Sequence, residues 1–108
     1  MLILICDAFD ASLPKRLEPF GEVTDDIGRL AEADVALVRS KTKCTAEWMS
    51  GAPKLRLIIR GGVGIDNIDV AAAKERKIEV RNTPQASAIA VAELAFALMI
   101  AVPNRLIE

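Results

Sequence analysis

Four short apolar runs punctuate the chain: LILIC at 2–6, DVALVRS at 34–40, LRLIIRG at 55–61 and KIEVRN at 77–82. Their aliphatic and β-branched character suits strands covered on both faces of a parallel sheet. GEVTDD at 21–26 is a weaker strand signal and fits an edge. Helix signals lie between the runs. SLPKRLEPF can start at Ser12, with Pro14 tolerated in the first turn. TAEWMSGA can be capped by Thr45 and stopped by Gly51 and Pro53, and DVAAAKERK can be capped by the Asp69 carboxylate. The alternation predicts right-handed βαβ units and an open α/β sheet flanked by helices. No internal repeat or low-complexity linker interrupts it.

The last segment breaks the pattern. Residues 88–102 are apolar at every position except Glu93, with Ser87 as a cap and Pro103 closing the run. A surface helix shows one apolar stripe, whereas this one is apolar nearly all round and expects cover on every side. It is short of the roughly 20 residues of a membrane span, so burial between domains or subunits is the reading. The chain is thus expected to end in a long apolar helix.

Composition narrows the chemistry. A length of 108 residues argues for one domain, and 52% hydrophobic with 27% charged residues for a folded chain. The formal charge of −1 is spread without a basic block, and aromatic residues are few, so nucleic-acid binding has no electrostatic or stacking support. Cys6 and Cys44 are too few and too far apart for a disulfide framework or a zinc site, and Cys6 reads as a small core residue. No metal site is expected. There is no histidine, so a histidine base would have to come from elsewhere. The N-terminus MLILICD has no basic region and reads as a strand rather than a signal peptide, which makes a cytoplasmic location the default.

Candidate chemistry centres on IIRGGVGIDNID at 58–69. A dinucleotide fingerprint wants a third glycine where Asn67 stands, and an acid about 20 positions on, where Arg81 and Asn82 stand. No Gly-Lys-Ser/Thr follows, so a Walker loop fails too. What remains is a glycine loop at the carboxyl end of a strand, where open α/β sheets bind ligands. Its amides can approach a small anion such as a carboxylate. Arg39 and Ser40 close the neighbouring run and place a cation and a hydroxyl beside the same crevice; equally, they are a solvated strand end. Asp66 reads as a turn former.

VRSKT (38–42), RGGVGIDNID (60–69), NTP (82–84) and AVAE (90–93) occur in this order. Together they resemble the N-terminal part of the D-isomer-specific 2-hydroxyacid dehydrogenases, most closely the phosphoglycerate dehydrogenase branch. The resemblance implies a flavodoxin-like substrate-binding domain over residues 1–86. Residues 87–108 would be an interdomain and dimer helix leading to an NAD-binding domain that these residues do not contain. It also implies that Gly62, Val63 and Gly64 hold the substrate carboxylate, with Val63 near the nicotinamide. Arg39 and Ser40 would hold the distal, phosphate-bearing part, and Asn82 would orient the loop or simply end a strand. Ser87 and Val91 would pass the cofactor, although Val91 fits simple packing as well. The family's catalytic arginine, acid and histidine have no counterpart here. The expected partners are a small 2-hydroxy acid and a second copy joined through residues 88–102, with no nucleic acid or membrane.

Hydride removal from a 2-hydroxy acid needs a proton acceptor and a cation on the oxygen. The chain alone is therefore expected to be an inactive substrate-binding segment of an NAD-dependent enzyme. Two rivals stand beside this reading. One is a stand-alone dimeric module that binds small carboxylates. The other is a receiver-type structural domain, for which Asp25 and Asp26 lack a matching strand-end aspartate and lysine.

Overall fold

The computed structural model describes residues 1–7, 9, 11–62, 64, 66–83 and 88–101, with side chains of the last helix over 89–98. Five parallel strands form one sheet: β1 (Leu2–Ile5), β2 (Glu22–Thr24), β3 (Val35–Val38), β4 (Leu57–Gly61) and β5 (Glu79–Thr83). The strand order is β2-β1-β3-β4-β5, the doubly wound arrangement of flavodoxin-like sheets. GEVTDD does supply the edge strand, through Glu22–Thr24 paired to β1.

Alternation along the three central strands sorts the core. Ile3, Ile5, Val35, Leu37, Leu57 and Ile59 point to one face, where they meet Leu13 and Leu17 of α1 (Leu13–Leu17) and Val91 and Ala95 of α4 (Ala88–Ala101). Leu4, Ala36, Val38 and Ile58 point to the other. There they meet Met49 of α2 (Ala46–Ser50) and Ala72 and Ala73 of α3 (Val70–Glu75). Each strand is apolar without alternation because both of its faces are covered.

Local signals set the helix ends. The Thr45 hydroxyl accepts a bond from the Trp48 amide at 3.1 Å, and the Asp69 carboxylate accepts one from the Ala72 amide at 3.0 Å. Gly51 closes α2 as its spacing predicts. The helix expected through Phe20 is shorter: α1 ends at Leu17 and gives way to a 3₁₀ turn over Glu18–Phe20. Pro19 explains the break, since it lacks the N–H that would bond back into the helix. Between β2 and β3 the chain crosses in 3₁₀ turns over Ile27–Glu32, capped by Asp26 and broken at Arg29. In α4 the side turned from the sheet leaves Ile89 53% and Phe96 49% exposed. The Ser87 cap and Pro103 lie outside the described residues. Among the described residues no helix is long and apolar enough to cross a membrane.

Candidate functional site

Sheet register brings the sequence-predicted residues to one edge. Val38 pairs with Arg60 and Arg60 with Asn82, so the chain leaves β3, β4 and β5 at a common level. Arg39 follows Val38 and Gly61 follows Arg60. This is the carboxyl edge, where open parallel sheets carry their ligand crevices.

The glycine loop begins at Gly62, whose φ of 138° is outside the range favoured by residues with a side chain. Its amide donates to Thr83 O at 2.8 Å, and its carbonyl accepts from Asn82 Nδ2 at 3.1 Å. Two bonds from β5 thus set the direction in which the loop departs. Gly64 is exposed further along it. Val63 and Ser87 lie outside the described residues. Val91 is fully buried in the core face beneath the sheet, so its side chain packs against strands in this chain.

Arg39 and Ser40 are exposed on the loop after β3. The Arg39 guanidinium carbon sits 5.9 Å from the centre of the Phe9 ring, within the range of a cation–π contact. Ser40 turns its carbonyl toward Lys43 Nζ at 3.4 Å.

Two residues outside the sequence-predicted set organise this edge. Asp7, just past β1, accepts from the Arg39 amide at 2.7 Å and from the Thr42 amide at 3.1 Å through one oxygen, and from the Thr42 hydroxyl at 2.6 Å through the other. Burial alone would raise its pKa. The Thr42 hydroxyl and the amides of Arg39, Thr42 and Lys41 outweigh that and hold the carboxyl below its usual 3.8. Asp7 is thus a strand-end aspartate of the kind missing from the receiver comparison, but its oxygens are engaged in tying down a loop. It also lines a cavity of about 360 Å³ with Cys6, Phe9 and Asp25.

Asn67 is the second. Its Nδ2 donates to Arg39 O and Thr42 O, both at 2.7 Å, while Oδ1 accepts from Arg60 Nε at 3.1 Å. The backbone continues the link: the Cys44 amide donates to Asn67 O at 2.8 Å and the Asp69 amide to Cys44 O at 2.9 Å. The sequence signal for Asp7 was an acid directly after the first apolar strand. For Asn67 it was an amide at the position where a dinucleotide loop needs glycine.

These bonds also decide what the loop does not fit. The Asn67 side chain occupies the third glycine position, and the Asp69 carboxylate covers an amide at the start of α3. A dinucleotide pyrophosphate requires a bare helix N-terminus there. The β4–α3 loop is therefore unsuited to the pyrophosphate of NAD. Among the described residues no cluster suitable for a metal ion occurs. Burial favours the protonated form of both thiols. Burial, with Asp7 adding, pushes Cys6 up to about 12; burial, with Cys6 and Asp7 adding, does the same for Cys44.

Comparison with known proteins agrees with this architecture. The family model described as D-isomer specific 2-hydroxyacid dehydrogenase, catalytic domain, matches residues 5–105. A D-3-phosphoglycerate dehydrogenase of Methanocaldococcus jannaschii is 46% identical over 107 residues, covering 92% of this chain and 20% of that protein. A hydroxypyruvate reductase of Thermotoga maritima is 54% identical over 72 residues, covering 67% of this chain and 24% of that protein. The crystal structure of an NAD+-bound 3-phosphoglycerate dehydrogenase of Entamoeba histolytica superposes with a TM-score of 0.66 at 30% identity. It covers 77% of this chain and 32% of that one. The chain thus spans about a fifth to a quarter of the length of these two curated relatives.

Proposed function

This chain belongs to the D-isomer specific 2-hydroxyacid dehydrogenase family, and from that premise we propose that it is the substrate-binding segment of an NAD-dependent, phosphoglycerate dehydrogenase-like enzyme. The observation that carries the reading is that β3 and β4 end in register at the carboxyl edge, so that the loops carrying Arg39, Ser40 and Gly62 leave the sheet at one level. The Gly62 amide is held by Thr83 O, so the amides of Val63 and Gly64 take the substrate carboxylate, with Gly62 setting the turn that presents them. A carboxylate there gains charge-assisted bonds from backbone amides. Arg39 and Ser40 take the distal phosphate, the guanidinium in bidentate fashion. Asn82 holds the Gly62 carbonyl so that the loop faces the substrate.

In the intact enzyme the 2-hydroxy acid is oxidised to a 2-keto acid. NAD, when bound, accepts the hydride. This segment binds and orients the acid at both ends. The hydroxyl proton goes to a base that is not a histidine of these 108 residues. Residues 1–86 act as the substrate-binding unit, with Ser87 and the segment after it passing the cofactor. The relatives' hydroxy-acid and keto-acid names support the substrate class, and the identity to phosphoglycerate dehydrogenases supports the phosphorylated member of it.

The test is a chemical-shift titration of the 15N-labelled chain with D-3-phosphoglycerate. Saturable shifts are expected at Arg39, Ser40, Gly62 and Gly64, with no NADH formed when NAD is added. Gly62→Ala, strained by about 1–3 kcal/mol at this φ, should weaken binding at least severalfold. Shifts confined to other surfaces would overturn the assignment.

The exposed Ile89 and Phe96 on α4 supply the contact of a homodimer in the same reading. Phe96→Glu places a charge on that face and should convert the dimer to monomer in sedimentation velocity. An unchanged sedimentation coefficient would reject the contact.

A further inference from the structure

The β3 and β4 loops are separate pieces of chain, and past the last ladder bond their backbones meet in one parallel bridge, Cys44 to Ile68. The bridge lies beyond Arg39 in the β3 loop, and the Asn67 side chain ties the segment between them. Its amide group donates to Arg39 O and Thr42 O, and its oxygen accepts from Arg60, whose Nη1 also reaches Gly61 O at 3.3 Å. From the opposite side, Asp7 takes the Arg39 and Thr42 amides. Both backbone polar groups of Arg39 are therefore engaged, its N–H by Asp7 and its C=O by Asn67. The direction in which its side chain leaves the backbone is set before any ligand arrives.

We propose that Asn67 is a positioning residue that sets the separation between the two anion-holding ends of the site, and so selects ligands carrying two anionic groups. The inference rests on the proposed substrate reading and names its specificity device. A ligand with a carboxylate and a phosphate gains from both ends only when their spacing matches its own, because the second contact is then made at high effective concentration. A ligand with one anionic group has no such requirement. Pre-set spacing also means that ordering the loop is not charged against binding. Asn67 touches neither end of the ligand in this arrangement. It acts through the backbone of Arg39 and Thr42 and through Arg60.

The geometry also dictates which atom of Asn67 matters. The two carbonyls need a donor, and only the amide nitrogen supplies one. Aspartate keeps the shape and the contact to Arg60, yet it presents an oxygen to both carbonyls and repels them. A role in filling space would tolerate that change. A role in joining the loops would not.

The experiment compares the wild-type chain with Asn67→Asp and Asn67→Ala by chemical-shift titration. Three probes are used: D-3-phosphoglycerate, D-glycerate and inorganic phosphate. Unshifted core amides at Ile3, Leu37 and Ile59 establish that each variant is folded. Both variants are expected to lose about tenfold in affinity for D-3-phosphoglycerate, with less than a twofold change for the two single-anion probes. Equal losses for all three probes, or wild-type affinities in Asn67→Asp, would overturn the proposal. If the wild-type chain bound none of the probes, the substrate reading itself would fall and this inference with it. That result is distinct from binding with an unchanged ratio, which rejects the role of Asn67 alone.

Discussion

Leu37→Ala should lower the stability of this chain by about 3–4 kcal/mol and its melting temperature by roughly 15–20 °C. Leu37 is fully buried on β3, the middle strand of the sheet, and belongs to the core face shared by α1 and α4. Removing its branch forfeits the transfer free energy of the lost carbons. It also leaves a void between strands and helices that cannot close without moving the sheet. A domain of this size holds on the order of 5–15 kcal/mol in total, so the variant should be partly unfolded at 37 °C. Thermal denaturation followed by circular dichroism measures the shift. A loss below about 1 kcal/mol would mean that α1 and α4 follow the side chain inward, and that this face is softer than its packing implies.

Asp7→Ala should cost about 2 kcal/mol, from the loss of charge-assisted bonds to Arg39 and Thr42 at a partly exposed position. Its pH signature separates it from the core variant. Folding lowers the Asp7 pKa below 3.8, so the carboxylate contributes fully above that value, and the contribution disappears as the pH falls through the lowered one. Wild type should therefore lose its advantage over Asp7→Asn on acidification below about pH 4, and the two curves should converge. Urea denaturation between pH 3 and pH 7 checks this. Parallel curves over the whole range would show that Asp7 is not linked to folding through its charge. The Arg39–Thr42 loop should also exchange its amide hydrogens faster in both variants, since Asp7 no longer holds them as a carboxylate.

Much of the scaffold was legible along the chain. Three of the four main strands fall inside their apolar runs and β5 extends one residue past its own, to Thr83; GEVTDD is the edge strand, and the caps at Thr45 and Asp69 sit where their side chains predict. Local signals suffice for these features because each depends on residues no more than four apart. The site was legible only in part. Arg39, Ser40, Gly62, Gly64 and Asn82 gather at one edge because parallel strands end at a common level. Asp7 and Asn67 were missed, because each acts on a segment 25 to 35 residues away in the chain: Asp7 on Thr42 at a separation of 35, Asn67 on Arg39 at 28 and on Thr42 at 25.

Sequence by itself therefore determined the class of fold, the order of its elements, the failure of the dinucleotide fingerprint and the family. All of these follow from periodicity, capping chemistry and short motifs, which are properties of neighbours in the chain. Tertiary structure decided the rest. It sorted Ile3, Leu37 and Ile59 to one face and Leu4, Val38 and Ile58 to the other, left Ile89 and Phe96 exposed, and buried Val91. It also turned an asparagine in a glycine loop into the link between two loops. The physical reason is that a buried or half-buried polar group must find a partner. Which partner lies within about 3 Å is a property of the packed chain, and no run of neighbouring residues encodes it.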